Sequence, residues 1–348
     1  MWQVIGQPKT IRLLERSFKS GSLSHAYLIV GPPRVGKGTL AANIAQALNC
    51  TGALPPCGEC PSCRRIAAGK HADVRAVNPA DLDTDEKTRQ KIGTDIIEEL
   101  QYSAALPPYE GKYRVFIIDG AENMSVEASN RLLKVLEEPS PTVVWLLLSS
   151  EERRLLPTVV SRCQRLELRP VPAAEISALL RERHGVEAGQ AELLSHLAAG
   201  CPGWAVSAAA DSKLLESRNT ALDALAAMLG AGLDDRLQYA AETGRNSEKD
   251  RRAACETLKV WQGFWRDAML VKNGCASGIT SIDRKQTLDK LAASLTTQAI
   301  KSELDRLDRS INEITHNVNA QLALEVLLIK MPGIPSLASE STEALPSK

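Results

Sequence analysis

Ala26-Tyr27-Leu28-Ile29-Val30 runs directly into Gly31-Pro32-Pro33-Arg34-Val35-Gly36-Lys37-Gly38-Thr39, and an Ala- and Leu-rich stretch, Leu40 to Leu48, follows. A five-residue apolar run, a glycine-bounded turn and a helical pattern, in that order, predict a strand, a phosphate-binding loop and a helix. Gly31 and Gly36 let the backbone curl so that successive N–H groups face inward, and the helix start adds positive potential at the same point. Lys37 is placed to reach the phosphates of a nucleotide. One position departs from G-x-x-x-x-G-K-[ST]: Gly38 stands where the magnesium-binding hydroxyl belongs, with Thr39 beside it. The competing reading is a loop that keeps its shape and binds nothing.

Outward from this stretch, the same alternation continues. Asp73 to Val77 is a weaker strand pattern, and Val115-Phe116-Ile117-Ile118 and Val143-Val144-Trp145-Leu146-Leu147-Leu148 are apolar without alternation, as in parallel strands buried on both faces. Between them Val126 to Glu138 reads as a helix, with Ser125 as its N-cap and Pro139 beyond its end. Arg165 to Leu168 is a further short strand. Strands alternating with helices predict a doubly wound α/β domain, spanning 1–168. Asp119 ends one strand and is placed to hold magnesium, or else to cap a turn. The next residue is Gly120, and Glu122 is expected to point away from the strand end.

After Pro170 and Pro172, two short helical patterns, Glu175 to Arg183 and Gln190 to Ala199, predict a small helical domain over 169–208. No strand signal follows. Over 209–332 the pattern is all-helical, and its last long helix carries Ile300, Leu304, Leu307, Ile311, Ile314 and Val318 in alternating steps of four and three. Such a seam packs inside its own bundle or against a neighbour. Beyond Pro332 the residues 333–348 are rich in Ser, Pro and Glu and are expected to be a disordered tail.

Bulk properties narrow the class. The chain has 348 residues, 44% hydrophobic but only 4% aromatic, with a formal net charge of zero. No global basic field favours nucleic acid. No basic-then-apolar signal opens the chain, and Val143 to Leu148 is too short to span a bilayer, so a soluble cytoplasmic protein with no membrane partner is expected. Of eight cysteines, Cys50, Cys57, Cys60 and Cys63 form C-x6-C-x2-C-x2-C. That spacing suits a closed tetrahedral zinc site on a small knob over about 50–63, against the alternative of free thiols or adventitious disulfides. Cys201, Cys255 and Cys275 read as small core hydrophobes. Arg162, in Ser161-Arg162-Cys163, reads on residue type alone as a salt-bridged surface arginine.

The order of Val4-Ile5-Gly6-Gln7, His25-Ala26-Tyr27-Leu28, the loop at 31–39, the four-cysteine knob, Leu132-Leu133-Lys134-Val135-Leu136-Glu137-Glu138-Pro139 and Ser161-Arg162-Cys163 resembles the bacterial clamp-loader AAA+ subunits of DNA polymerase III. Asn317-Val318-Asn319 with Leu322-Ala323-Leu324-Glu325 is similar to that family's collar helix. The resemblance implies a P-loop AAA+ parallel-sheet domain with an inserted four-cysteine zinc module, a helical lid domain, and an all-α collar domain. It implies ATP and magnesium at Gly31, Gly36, Lys37, Gly38, Thr39 and Asp119. It also implies a pentameric ring with gamma/tau and delta subunits, loading the sliding clamp onto primed DNA in replication.

Within the family, hydrolytic members carry a Glu after the strand-end Asp and a sensor arginine where this chain has Trp204. The departures at Gly38, Gly120 and Trp204 resemble the stator branch, in which Arg162 is the arginine finger acting in trans on a neighbour's nucleotide. An active ATPase of the tau/gamma type is the alternative. A nucleotide kinase is a third reading, because the Gly-Lys-Gly-Thr loop also resembles that of adenylate kinases.

Overall fold

The computed structural model describes residues 2–78, 92–244, 247–316 and 318–334, without the side chains of residues 248 and 249. The expected tail lies outside the described residues from 335 onward, as does Asn317 of the collar motif. The chain forms two compact units, residues 1–176 with 200–204, and residues 177–199 with 205–348.

The first unit is built on five parallel strands: β1 (Ala26–Val30), β2 (Val74–Val77), β3 (Arg114–Asp119), β4 (Val143–Ser149) and β5 (Gln164–Glu167). Their order is β2-β3-β4-β1-β5. Ala26 pairs with Trp145, Tyr27 with Gln164 and Arg114 with Val143. Every residue of β1 and β4 is buried, which is why both read as continuous apolar runs. At the edge, β5 exposes Arg165 and Glu167 and buries Leu166.

Helices α1 (Pro8–Ser20), α2 (Lys37–Asn49), α3 (Pro61–Ala67), α4 (Thr94–Ala104), α5 (Val126–Glu137) and α6 (Pro157–Val160) complete this unit's connections. One face of the sheet packs Phe116 and Trp145, stacked at 4.6 Å, with Ile97, Leu100 and Leu132. The other packs Leu14, Leu40 and Ile44 on Leu146 and Leu148. Burying each such side chain contributes about 1.5–3 kcal/mol. Ser125 caps α5 as expected, its Oγ accepting from the Ala128 N–H at 3.0 Å. The order matters for function. With β4 between β1 and β3, the loop after β1, the end of β4 and Asp119 meet at the carboxyl edge of the sheet, where parallel sheets bind ligands.

The remaining helices are α7 (Ala173–His184), α8 (Ala188–Leu197), α9 (Pro202–Ala210), α10 (Lys213–Gly230), α11 (Leu233–Thr243), α12 (Glu248–Lys272), α13 (Lys285–Ser294), α14 (Thr297–Thr315) and α15 (Ala320–Lys330). In the second unit, α12 carries the fully buried Trp261 and Trp265, against which α14 packs Ile300, Leu307 and Ile314. The seam read from the sequence is thus buried in its own unit. Its expected continuation through Val318 is not: α14 ends at Thr315, Asn319 starts α15 by accepting the Leu322 N–H at 3.2 Å, and Val318 is exposed. Buried Arg236 ties α15 down, donating to the carbonyls of Leu328, Met331 and Met228. Cys275 corrects another expectation, since it is exposed.

Candidate functional site: a phosphate loop, a four-cysteine knob and an outward arginine

The loop takes the form its glycines allow. Gly31 and Gly36 have φ of 157° and 112°, and a Cβ on Gly31 would lie 2.6 Å from the Leu168 carbonyl oxygen. Arg34 is also left-handed at φ 60°. Its carbonyl accepts the Gly203 N–H at 2.9 Å, so the Gly200–Trp204 segment is bonded to the loop. A Cβ at Gly203 would stand 2.8 Å from that carbonyl oxygen. Val35, fully buried, anchors the loop's apolar side.

Lys37 opens α2 and is only 8% exposed. Its Nζ donates to the Gly31 carbonyl at 2.8 Å, the Pro32 carbonyl at 3.0 Å and Ser150 Oγ at 2.8 Å. Three donors meet three acceptors of the chain itself. Burial pushes its pKa down, opposed by the charges of Asp119 and Glu122 and by Cys201. Gly38 and Thr39 are exposed at the start of α2, where the N–H groups of a first helical turn lack intrahelical acceptors. Nothing lies within 4 Å of a Cβ built on Gly38. Loop, cation and helix start fit a nucleotide's phosphates. The magnesium-binding hydroxyl is missing, but there is room for one.

Asp119 ends β3 beside this cation. Its pKa is raised by burial, against the Gly120 N–H and Lys37, which lower it. Gly120 is left-handed at φ 68° and starts the short turn Ala121–Asn123. Glu122 overturns the sequence expectation. Instead of pointing away, its Oε1 accepts the Ser150 N–H at 3.0 Å, and its charge acts on both Lys37 and Asp119. Ser150, Glu122 and Cys201 are therefore members of the cluster that sequence reading missed. For Glu122 the missed signal was the tight turn at Gly120, which folds the chain back over the strand end.

The four cysteines come together. Cys50 follows α2, Cys60 caps α3 and Cys63 lies in its first turn, and the four Sγ atoms all lie within 4.8 Å of one another. Tetrahedral zinc thiolates sit about 3.8 Å apart, from bonds of about 2.3 Å, and Cys57 Sγ to Cys63 Sγ is 3.9 Å. Backbone N–H groups of Gly52, Cys60 and Cys63 donate to the sulfurs of Cys50, Cys57 and Cys60 at 3.3, 3.3 and 3.4 Å. Such bonds favour thiolates. At Cys60 they outweigh burial and bring the pKa down to about 5, whereas burial pushes Cys63 up to about 12. Gly52 leaves room for the cluster, since a Cβ there would approach Cys57 Sγ to 3.1 Å. The donor set fits a metal ion, and with four thiolates and no open position its role would be structural.

The knob is tied to the sheet unit by buried polar groups. Gln46 donates to the Cys63 carbonyl at 3.0 Å. His71 Nδ1 accepts the Asp73 N–H at 3.2 Å, so its Nε2 carries the hydrogen facing Ser62 Oγ at 3.1 Å. That tautomer cannot take a proton from Ser62, so the pair is a strut and not a nucleophile with its base. Asp73, 1% exposed, accepts the N–H groups of Tyr109, Glu110 and Gly111 at 2.6, 2.9 and 2.7 Å.

Arg162 lies just beyond α6. Its side chain is 35% exposed, Nη2 pairs with Glu137 Oε1 at 2.6 Å, and Nη1 donates to the Thr158 carbonyl at 3.0 Å. The pair matches the reading from residue type alone, though its partner was not foreseen; the finger role implied by the resemblance is a separate matter.

Comparison with known proteins gives the family. The family model of the DNA polymerase III delta subunit matches residues 6–172, and that of the same subunit's C terminal matches residues 213–332. The chain is 27% identical over 326 residues to the DNA polymerase III subunit delta' of Bacillus subtilis, covering 93% of this chain and 96% of that protein. It is 38% identical over 183 residues to the delta' subunit of Pseudomonas aeruginosa, covering 51% of this chain and 54% of the relative. The tau subunit of Salmonella typhimurium is 28% identical over 343 residues, 95% of this chain, which spans only 50% of that longer protein. The chain belongs to the clamp-loader subunit family of bacterial DNA polymerase III, with delta' subunits among its relatives.

Proposed function

We propose that this chain is the stator of the clamp loader: it assembles with gamma/tau and delta subunits, hydrolyses little or no ATP itself, and lends Arg162 as an arginine finger to a neighbour's nucleotide. The observation that carries the reading is the strand end. Asp119 is followed by Gly120 at φ 68°, which carries no carboxylate and holds a conformation that disfavours one. Without a carboxylate next to Asp119 to activate the attacking water, and with Glu122 Oε1 already accepting the Ser150 N–H, hydrolysis is slow. The half-exposed guanidinium of Arg162 supports the second half, since a finger has to leave its own surface.

In this reading 1–168 is the AAA+ domain, 169–208 the lid and 209–332 the collar. Val318, Leu322, Val326 and Ile329, exposed along α15 and its approach, supply an apolar face for assembly. Gly31, Gly36, Lys37, Gly38, Thr39 and Asp119 would hold the phosphates and magnesium of ATP, which when bound supplies order to the loop. Zinc at Cys50, Cys57, Cys60 and Cys63 would hold the knob. The sliding clamp and primed DNA are reached through the complex, in the cytoplasm.

The tau/gamma-type ATPase is kept as a second reading by Glu122, whose carboxylate stands in the Lys37–Asp119 cluster. Reconstitution separates the two. The chain should co-purify with gamma/tau and delta, and clamp loading on primed DNA should need it while its Lys37→Ala variant still supports turnover. A chain that ignores those subunits, or a Lys37→Ala variant that abolishes turnover, contradicts the stator reading.

A further inference from the structure

We infer that Glu137 is a positioning residue for Arg162: it holds the guanidinium along one edge and leaves other donors free for a phosphate oxygen of an adjoining subunit. This rests on the finger reading above.

Glu137 is the last residue of α5 and Glu138 follows it. Two carboxylates at the negative end of a helix dipole oppose local electrostatics, so helix stability does not explain Glu137. Nor does an exposed ion pair add appreciable stability. Yet Glu137, half-exposed and free to be solvated, has Oε1 2.6 Å from Arg162 Nη2. The backbone on both sides of this pair is fixed. Leu136, just before Glu137, and Val159, three residues before Arg162, are buried in the same apolar cluster, and α5 packs on α6. The Arg162 N–H donates to the Val159 carbonyl at 3.2 Å.

The guanidinium is therefore gripped from two elements, by Glu137 at Nη2 and by the Thr158 carbonyl at Nη1, with Ser161 Oγ at 3.5 Å on the same nitrogen. An arginine has five N–H donors in a planar fork. Nε makes no hydrogen bond among the described residues. An arginine without Glu137 samples several rotamers and must be ordered anew each time it meets a phosphate. Ordering one such side chain corresponds to about a two- to ten-fold change in rate.

The test is ATP turnover by the full reconstituted clamp loader with this chain as parent, Glu137→Ala, Glu137→Gln, Arg162→Ala, or Glu137→Ala/Arg162→Ala. Glu137→Ala should lower kcat about two- to ten-fold at unchanged KM, and Glu137→Gln, which keeps an acceptor without the charge, should fall between it and the parent. In the Arg162→Ala background, Glu137→Ala should change nothing further, because its effect passes through the arginine. The thermal midpoint of the isolated chain should not move. A parent-like rate for Glu137→Ala, or an equal loss in both backgrounds, overturns the assignment while leaving the finger intact. If Arg162→Ala itself leaves turnover unchanged, the finger reading falls and the role of Glu137 falls with it.

Discussion

Lys37 and Arg162 are the two cations that the proposed function sets beside phosphate, and the chain treats them in opposite ways. Lys37 is 8% exposed, and its three ammonium bonds all end on its own chain. Arg162 has a side chain 35% exposed and unused donors. A compact ammonium with three donors can be fully satisfied by a curled loop, whereas a five-donor fork can be held and still offer bonds. A nucleotide entering this chain's loop has to replace bonds that already exist. One on a neighbouring subunit could take the bonds that Arg162 leaves open. The difference separates a site turned inward from a group turned outward.

The largest effects should fall on the outward side. Arg162→Ala should cut hydrolysis by the neighbouring subunit it serves by about three decades or more, as loss of other arginine fingers does, while Lys37→Ala in this chain should leave turnover within about two-fold. Steady-state ATPase assays of the two variants side by side check the contrast, and equal losses would erase it.

The knob comes next. Cys60→Ser should lower metal content from about one zinc per chain to none and destabilise the sheet unit by on the order of 4 kcal/mol. Elemental analysis of freshly reduced protein with a denaturant titration reads both. Asp73→Asn should cost about 2–4 kcal/mol, because a charged acceptor of three N–H groups is replaced by a weaker one. Burial raises the Asp73 pKa, but the N–H groups of Tyr109, Glu110 and Gly111, with Arg114, lower it further. A folded pKa below the unfolded value of about 3.9 stabilises above that pH and is lost as pH falls through the folded value. The variant's stability should therefore fall less steeply in acid than the parent's, as followed by circular dichroism.

The smallest change is the sharpest on the inward side. Gly38→Thr enters open space, so stability should stay within about 0.5 kcal/mol. Calorimetry should find magnesium-ATP bound about three- to ten-fold more tightly if the missing hydroxyl limits affinity. Unchanged affinity would assign the limit to Lys37 and its own acceptors.

How much of this was legible in the sequence follows a physical divide. Val143 to Leu148 and Val115 to Ile118 declared themselves because strands buried on both faces need no alternation, and Ser125 and Pro139 bracketed α5 by local chemistry. The cysteine spacing was legible for the same reason, since its ligands are neighbours in sequence. Groups that converge through topology were not. Ser150 joins Lys37 across 113 positions, and Gly203 reaches Arg34 only because the chain returns to the loop. Glu122 was misread because a left-handed glycine reversed its direction. The α14 seam was read one element too long, as apolar spacing does not register the break at His316, where Asn319 recaps the helix.

The most direct measurement is phosphate release from ATP by the purified chain alone, with magnesium, compared with the same chain in the assembled clamp loader. The isolated chain is expected to stay well below about one turnover per second, with brisk hydrolysis only in the assembly and only while Arg162 is present. Several turnovers per second from the chain by itself would contradict the division between an inward loop and an outward arginine.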